Sequence, residues 1–216
     1  ARTAAAMYKI GHRQKVDGVV AINQWALKTL IGALGNVEIA EGGTPVTSRN
    51  VFARLEEGSD KFGRAYIDLA FNGVLNKLKQ PLSLNALVDV ASAINTSLES
   101  KNILLFFNDP KIQNVVERNN WDGGLYKGGS DYLFIIDSNV GWSKSDRNVE
   151  RFVDYQVDLR KEPWRRISLT LGYYNHSGPG SPGCEPQWLN RGTSYGQLKN
   201  ACYWNFLRVY MPQESR

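Results

Sequence analysis

Residues 16–39 constrain this chain more than any other stretch. Val16-Asp-Gly-Val-Val-Ala-Ile22 is a short β-branched run with the character of a strand. It leads directly into Leu27, Leu30, Ile31 and Leu34, the i, i+3, i+4, i+7 spacing of one helix face. Gly35 stands where a helix end needs a residue tolerant of positive φ, and Val37-Glu38-Ile39 begins a further strand. The segment therefore predicts a compact strand–helix–strand unit, which has to be buried against the rest of the chain.

That rest is sufficient to bury it. With 216 residues, 42% of them hydrophobic, the chain can build a real core. No apolar run approaches the roughly 18 residues of a membrane span, and the chain does not open like a signal peptide. Arg2–Ile10 reads as the body of a helix, so a fragment or a processed chain is expected. The net charge of +5 comes from scattered Lys and Arg without a dense block. Such a balance favours anionic surfaces or polymers and does not argue for nucleic acid.

Further along, the first half is helical in pattern. Thr47 or Ser48 is placed to cap a short helix over 50–55, and a longer helix is expected over about 61–79, with Ile67, Ala70, Phe71, Val74 and Leu78 on one face and Pro81 ending it. Ser83 caps the next helix, whose face reads Leu84, Leu87, Ala91, Ile94 and Leu98. Ile103–Phe107 has the length and continuous apolarity of a strand buried on both faces. Asp109-Pro110 starts another helix.

Past Gly123-Gly124 the period becomes two. Strands are expected at Tyr132–Ile136, around Val153–Leu159, around Ile167–Tyr173 and at Ala201–Met211, forming an antiparallel meander. The expected fold is α/β, a mixed central sheet flanked by helices. It would be one domain over residues 1–216, the C-terminal part of a larger domain, with a β-rich subregion at 130–212.

Cys184 and Cys202 flank a loop-like segment that follows Gly178-Pro-Gly-Ser-Pro-Gly183. A disulfide between them would clip a long connection and imply an oxidising compartment; two independent thiols are the alternative. With only His12 and His176 and no paired cysteine spacing, a zinc site is not expected. Asn95 and Asn175 head glycosylation-type triplets, a pattern common by chance.

A loop at 137–148 carries the densest polar chemistry. Asp137 follows an apolar strand, and with Asn139 and Asp146 it offers oxygen ligands suited to Mg²⁺ or Ca²⁺. Lys144 and Arg151 are suited instead to an anionic group. The plainer alternative is a loop of Asx turns whose side chains bond their own backbone. Near the C-terminus, Trp188, Tyr195, Trp204, Phe206 and Tyr210 form either sheet packing or a sugar-stacking or partner-binding face. Period two sets Tyr203, Asn205, Leu207 and Val209 against Cys202, Trp204, Phe206 and Tyr210, leaving one aromatic stripe for another chain or domain to cover.

The opening unit resembles the "VDG-I-AI … LL-A-G-V-V" segment of bacterial envelope proteins in domain of unknown function family 4012. The similarity continues through Lys144-Ser-Asp146, Arg151 and Tyr155 to Tyr203–Tyr210. It implies an extracytoplasmic, cell-envelope domain tethered by an upstream membrane helix, and supplies no reaction. The first third is also similar to the LytR–CpsA–Psr glycopolymer transferases, whose "LGGVEV" and "GDFGR--RQQ" segments align with Leu34–Ile39 and Gly58–Arg64. That resemblance implies an α/β sandwich, and it implies that Arg54 and Arg64 hold a lipid diphosphate, with Asp60 orienting one of them. Glu56 replaces the second arginine of the family's pair, and Ile67, Asp68 and Leu69 replace its next basic residue and glutamines. Placement of Arg54 and Arg64 as ordinary surface residues is the alternative.

Two readings follow. The first is a non-catalytic envelope module that binds an anionic surface polymer or another envelope protein, in one variant as a subunit of an extracellular assembly. The second is a metal-assisted phosphotransferase acting on lipid-linked glycopolymers.

Overall fold

The structure, a computed structural model, describes residues 2–39, 44–63, 65–125, 132–160, 166–178 and 195–212. The chain forms two compact units, residues 1–126 and 127–216. The first holds helices α1 (Arg2–His12), α2 (Gln24–Leu34), α3 (Val51–Phe62), α4 (Ala65–Leu78), α5 (Leu84–Glu99) and α6 (Pro110–Arg118), with strands β1 (Gly18–Ile22) and β2 (Ile103–Phe107). The second holds β3 (Phe134–Ile136), a 3₁₀ turn (Ser145–Asn148), β4 (Val149–Asp158), β5 (Arg166–Asn175), a short α7 (Tyr195–Lys199) and β6 (Arg208–Tyr210).

In the first unit α2 is the hub. Asn23 leaves β1 in an extended conformation, and its side-chain oxygen accepts from the N–H groups of Trp25 and Ala26, satisfying two donors that a helix start leaves free. The same side chain donates to Asn102 Oδ1 at 2.8 Å, just before β2, and so ties the helix start to the sheet. Leu27, Leu30, Ile31 and Leu34 then pack against Val51 and Leu55 of α3, Ala70 and Val74 of α4, and Val90 and Ala93 of α5. Each large aliphatic side chain buried in this way contributes about 1.5–3 kcal/mol before entropy is counted. Val37 and Val46 close the core through a single β-bridge, where a strand at 37–39 was expected.

Three other expectations change here. Thr47 serves the turn before α3 and Asn50 takes the N-cap position: the Thr47 hydroxyl accepts from the N–H of Arg49 and Asn50, and Asn50 Oδ1 accepts from Thr47 N at 2.7 Å. The helix expected over 61–79 is interrupted, because Gly63 adopts φ +64° and closes α3 before α4 begins. On α5 the buried face is Val90, Ala93, Ser97 and Leu98, while Leu84, Leu87 and Ile94 are exposed. Small residues at the contact let α2 and α5 approach closely, which bulkier leucines would prevent.

β1 and β2 pair antiparallel from Gly18–Phe107 to Ile22–Ile103. This two-stranded sheet leaves β2 only partly buried after Ile103, rather than covered on both faces.

In the second unit β4 and β5 form a ten-residue antiparallel hairpin, with Arg151 opposite Tyr173. β3 and β6 pair from Phe134–Tyr210 to Ile136–Arg208. The same register continues past the strands: Ser138 and Phe206 exchange backbone hydrogen bonds, Asn139 bridges Asn205, and Val140 N–H donates to Trp204 O. The result is an irregular ribbon. The last strand is thus only Arg208–Tyr210, shorter than 201–211, with backbone pairs at 204–206 continuing its register outside it. Among the described residues the strands make three two-stranded antiparallel sheets, not one mixed central sheet or meander. The hairpin is also wetter than expected, with Phe152, Val153 and Val157 of β4 exposed.

Candidate functional site

Period two gives the ribbon of the second unit two faces. One face carries Asp137, Asn139 and Asn205, and Ile135, Leu207 and Val209 share it with these polar groups. The other carries Phe134, Val140, Trp204, Phe206, Arg208 and Tyr210.

On the polar face, Asp137 gathers three donors. Tyr173 Oη donates to Oδ1 at 2.8 Å and Asn205 Nδ2 to the same oxygen at 2.7 Å. Arg151 Nε lies 2.9 Å from Oδ2. The guanidinium also donates to Tyr203 Oη at 3.0 Å and lies over that ring, 5.5 Å from its centroid. Because Arg151 and Tyr173 are cross-strand partners, one rung of the hairpin reaches one carboxylate of the ribbon. Burial pushes the Asp137 carboxyl up, but the bonds from Asn205, Tyr173 and Arg151 outweigh it and leave the group below the ordinary aspartate range. Burial and the Asp137 bond push the Tyr173 hydroxyl above its usual value. Charge-assisted bonds of this kind are the strong ones, and here they stitch ribbon to hairpin.

Asn139 closes the loop that follows. Its Nδ2 donates to Ser143 Oγ at 2.7 Å and Asp146 Oδ2 at 3.0 Å, and its Oδ1 accepts from Gly141 N–H. Ser145, fully buried, shares a hydrogen with Ser143 at 2.8 Å. The structure thus separates the three oxygen candidates: Asp137 faces Arg151, while Asn139 and Asp146 bond each other. A cation at Asp137 Oδ2 would sit beside a guanidinium charge. Among the described residues no group of three or more His, Cys, Asp or Glu side chains converges. Lys144 is exposed, and its backbone N–H donates to Leu198 O of α7.

The other face is where the aromatic candidates lie. Trp204 and Phe206 are exposed, and Tyr210 is half-buried beside Phe134, with ring centroids 6.2 Å apart. Arg208 lies over the Phe206 ring and donates to Ser138 Oγ at 2.9 Å. The Trp204 ring packs on Gly141, where any Cβ would collide with it. The next residue, Trp142, holds φ +59° and is 72% exposed. A bulky residue in the left-handed region is rare and costs energy, and such strain gathers where a side chain must be presented. Sequence reading did not single out Trp142; the available signal was a tryptophan inside a largely polar loop. It also missed Tyr173 and Asn205, whose roles depend on partners 36 and 68 residues away.

Trp188, Arg64 and Cys184 lie outside the described residues, as does the side chain of Tyr195. The expected pairing of Cys184 with Cys202 therefore falls outside them too. Arg54, on α3 of the first unit, is bound 3.1 Å from Glu57 one helical turn away.

No curated protein and no solved structure matches the chain. Residues 1–59, which span α1, β1, α2 and most of α3, match the model of a family described as protein of unknown function (DUF4012), and that match supports the resemblance of this chain to that family.

Proposed function

We propose that this chain is a non-catalytic module of the bacterial cell envelope that holds a surface polymer or an envelope protein on the aromatic face of its second unit. The observation that carries this reading is the exposed pair Trp204 and Phe206 on the stitched ribbon, with Trp142, also exposed and at a strained backbone position, in the loop that follows β3. Tryptophan, arginine and tyrosine supply most of the binding energy at recognition surfaces, because they offer large area for little entropy. Arg208 over Phe206 adds a fixed cation to the same face. The extracytoplasmic setting rests on the family resemblance, and a Cys184–Cys202 disulfide belongs to the same proposal. The transferase reading draws no comparable support: Arg54 is paired with Glu57 and Arg151 with Asp137.

The test is co-sedimentation of the purified chain with cell-wall sacculi and their attached polymers. The expected result is saturable binding that falls about tenfold or more in W142A/F206A, consistent with hot-spot truncations of 2 kcal/mol or above. Both residues are exposed, so the circular dichroism spectrum should not change. Undiminished binding by the double variant, or no binding by the wild type, overturns the proposal.

A further inference from the structure

The first unit contains a concavity that the ribbon reading leaves unused. It is an open groove of about 700 Å³, within the range of about 300–1,000 Å³ typical of small-ligand sites. One wall is α1, whose Arg2, Ala5, Ala6 and Lys9 recur at i, i+3, i+4 and i+7 and so share one face. The two alanines leave space between the two cations. Lys15 and Val16 close one end, and Phe106–Asn108 with the start of α6 form the other wall.

Three observations point to an anionic ligand. The lining carries Arg2, Lys9 and Lys15 and no acidic side chain. None of the three cations makes an ion pair among the described residues; Arg2 lies over the Phe106 ring instead, 5.9 Å from its centroid. Asp109, beside the lining, has its carboxylate committed to the N–H groups of Lys111 and Ile112 at the start of α6. Three like charges along an open groove raise a positive potential over it, to the extent that salt leaves it unscreened, and repel one another until an anion enters. α1 has no buried residue, so core packing does not oppose that repulsion.

We infer that this groove binds a multiply charged oxyanion carried on a sugar-sized body, that is, an acidic segment of the polymer proposed above. This inference rests on the polymer form of that reading. Carboxylated and phosphorylated sugars share the required chemistry.

The test is an amide NMR titration of the full chain with hexagalacturonate, with glucose 1,6-bisphosphate and with neutral maltohexaose. At least one anionic probe is expected to shift Ala5, Ala6 and residues 106–108, with affinity falling as salt rises. K9E/K15E should weaken that binding at least about tenfold, because it reverses two of the three cations that line the groove. Which anion binds names the source. Absence of groove shifts with both anions, equal binding of maltohexaose, or full affinity in K9E/K15E overturns the inference. W142A/F206A separates the two claims: groove binding that survives in this variant while sacculus binding is unaffected overturns only the ribbon reading, and a silent groove beside an active ribbon overturns only this one.

Discussion

Asp137 accepts three hydrogen bonds, one of them from a guanidinium, at a half-buried position. Replacing it with Asn keeps the shape but removes the charge that Arg151 neutralises. D137N should therefore lose about 1.5–3 kcal/mol at neutral pH, read from urea unfolding. The pH dependence has a definite sign. The folded carboxyl sits below the ordinary aspartate value, so the unfolded chain binds the proton more readily. The contribution is complete above about pH 4–5, given an unfolded value near 3.9, and is lost as pH falls through the folded value. The stability gap between wild type and D137N should close over that acidic range. A gap that widens in acid would mean that Asp137 is not the proton-linked group.

Among the elements, what was legible in the sequence was local. Ser83 and Asp109 each cap the helix they precede, as read, because a side chain that bonds an N–H two or three residues on needs no information from elsewhere; the Asn23 cap was not read, although the same local logic forms it. The inward face of α5 was not legible, since two apolar stripes compete and the choice depends on how closely α2 can approach. The site divides in the same way. That Trp204 and Phe206 share a face follows from period two, whereas the Asp137 cluster draws on positions spread from 137 to 205. Asn23 offers a clean test, because its two roles can be separated. N23A loses both the cap and the bond to Asn102 and should cost about 1–2 kcal/mol. N23D keeps an acceptor for the helix N–H groups, adds a charge that favours a helix start, and loses the donor to Asn102, so thermal melts should place it above N23A.

Across the molecule, helices gather in the first unit and strands in the second, and the mixture is resolved without any parallel pairing among the described strands. In the second unit the pairings are nested. β4 and β5 adjoin in sequence, while β3 and β6 lie some seventy residues apart and bracket them. Closing the outer pair demands a much longer loop and more chain entropy before any contact rewards it. The hairpin should then zip first and the ribbon last, which gives the ribbon little structure in the transition state for folding. N205A should accordingly speed unfolding while leaving the refolding rate nearly unchanged, a φ-value near zero in stopped-flow chevrons. The aromatic face would thus be the part of the chain that assembles late and releases early, and its lifetime would be set by the rate at which one ribbon opens.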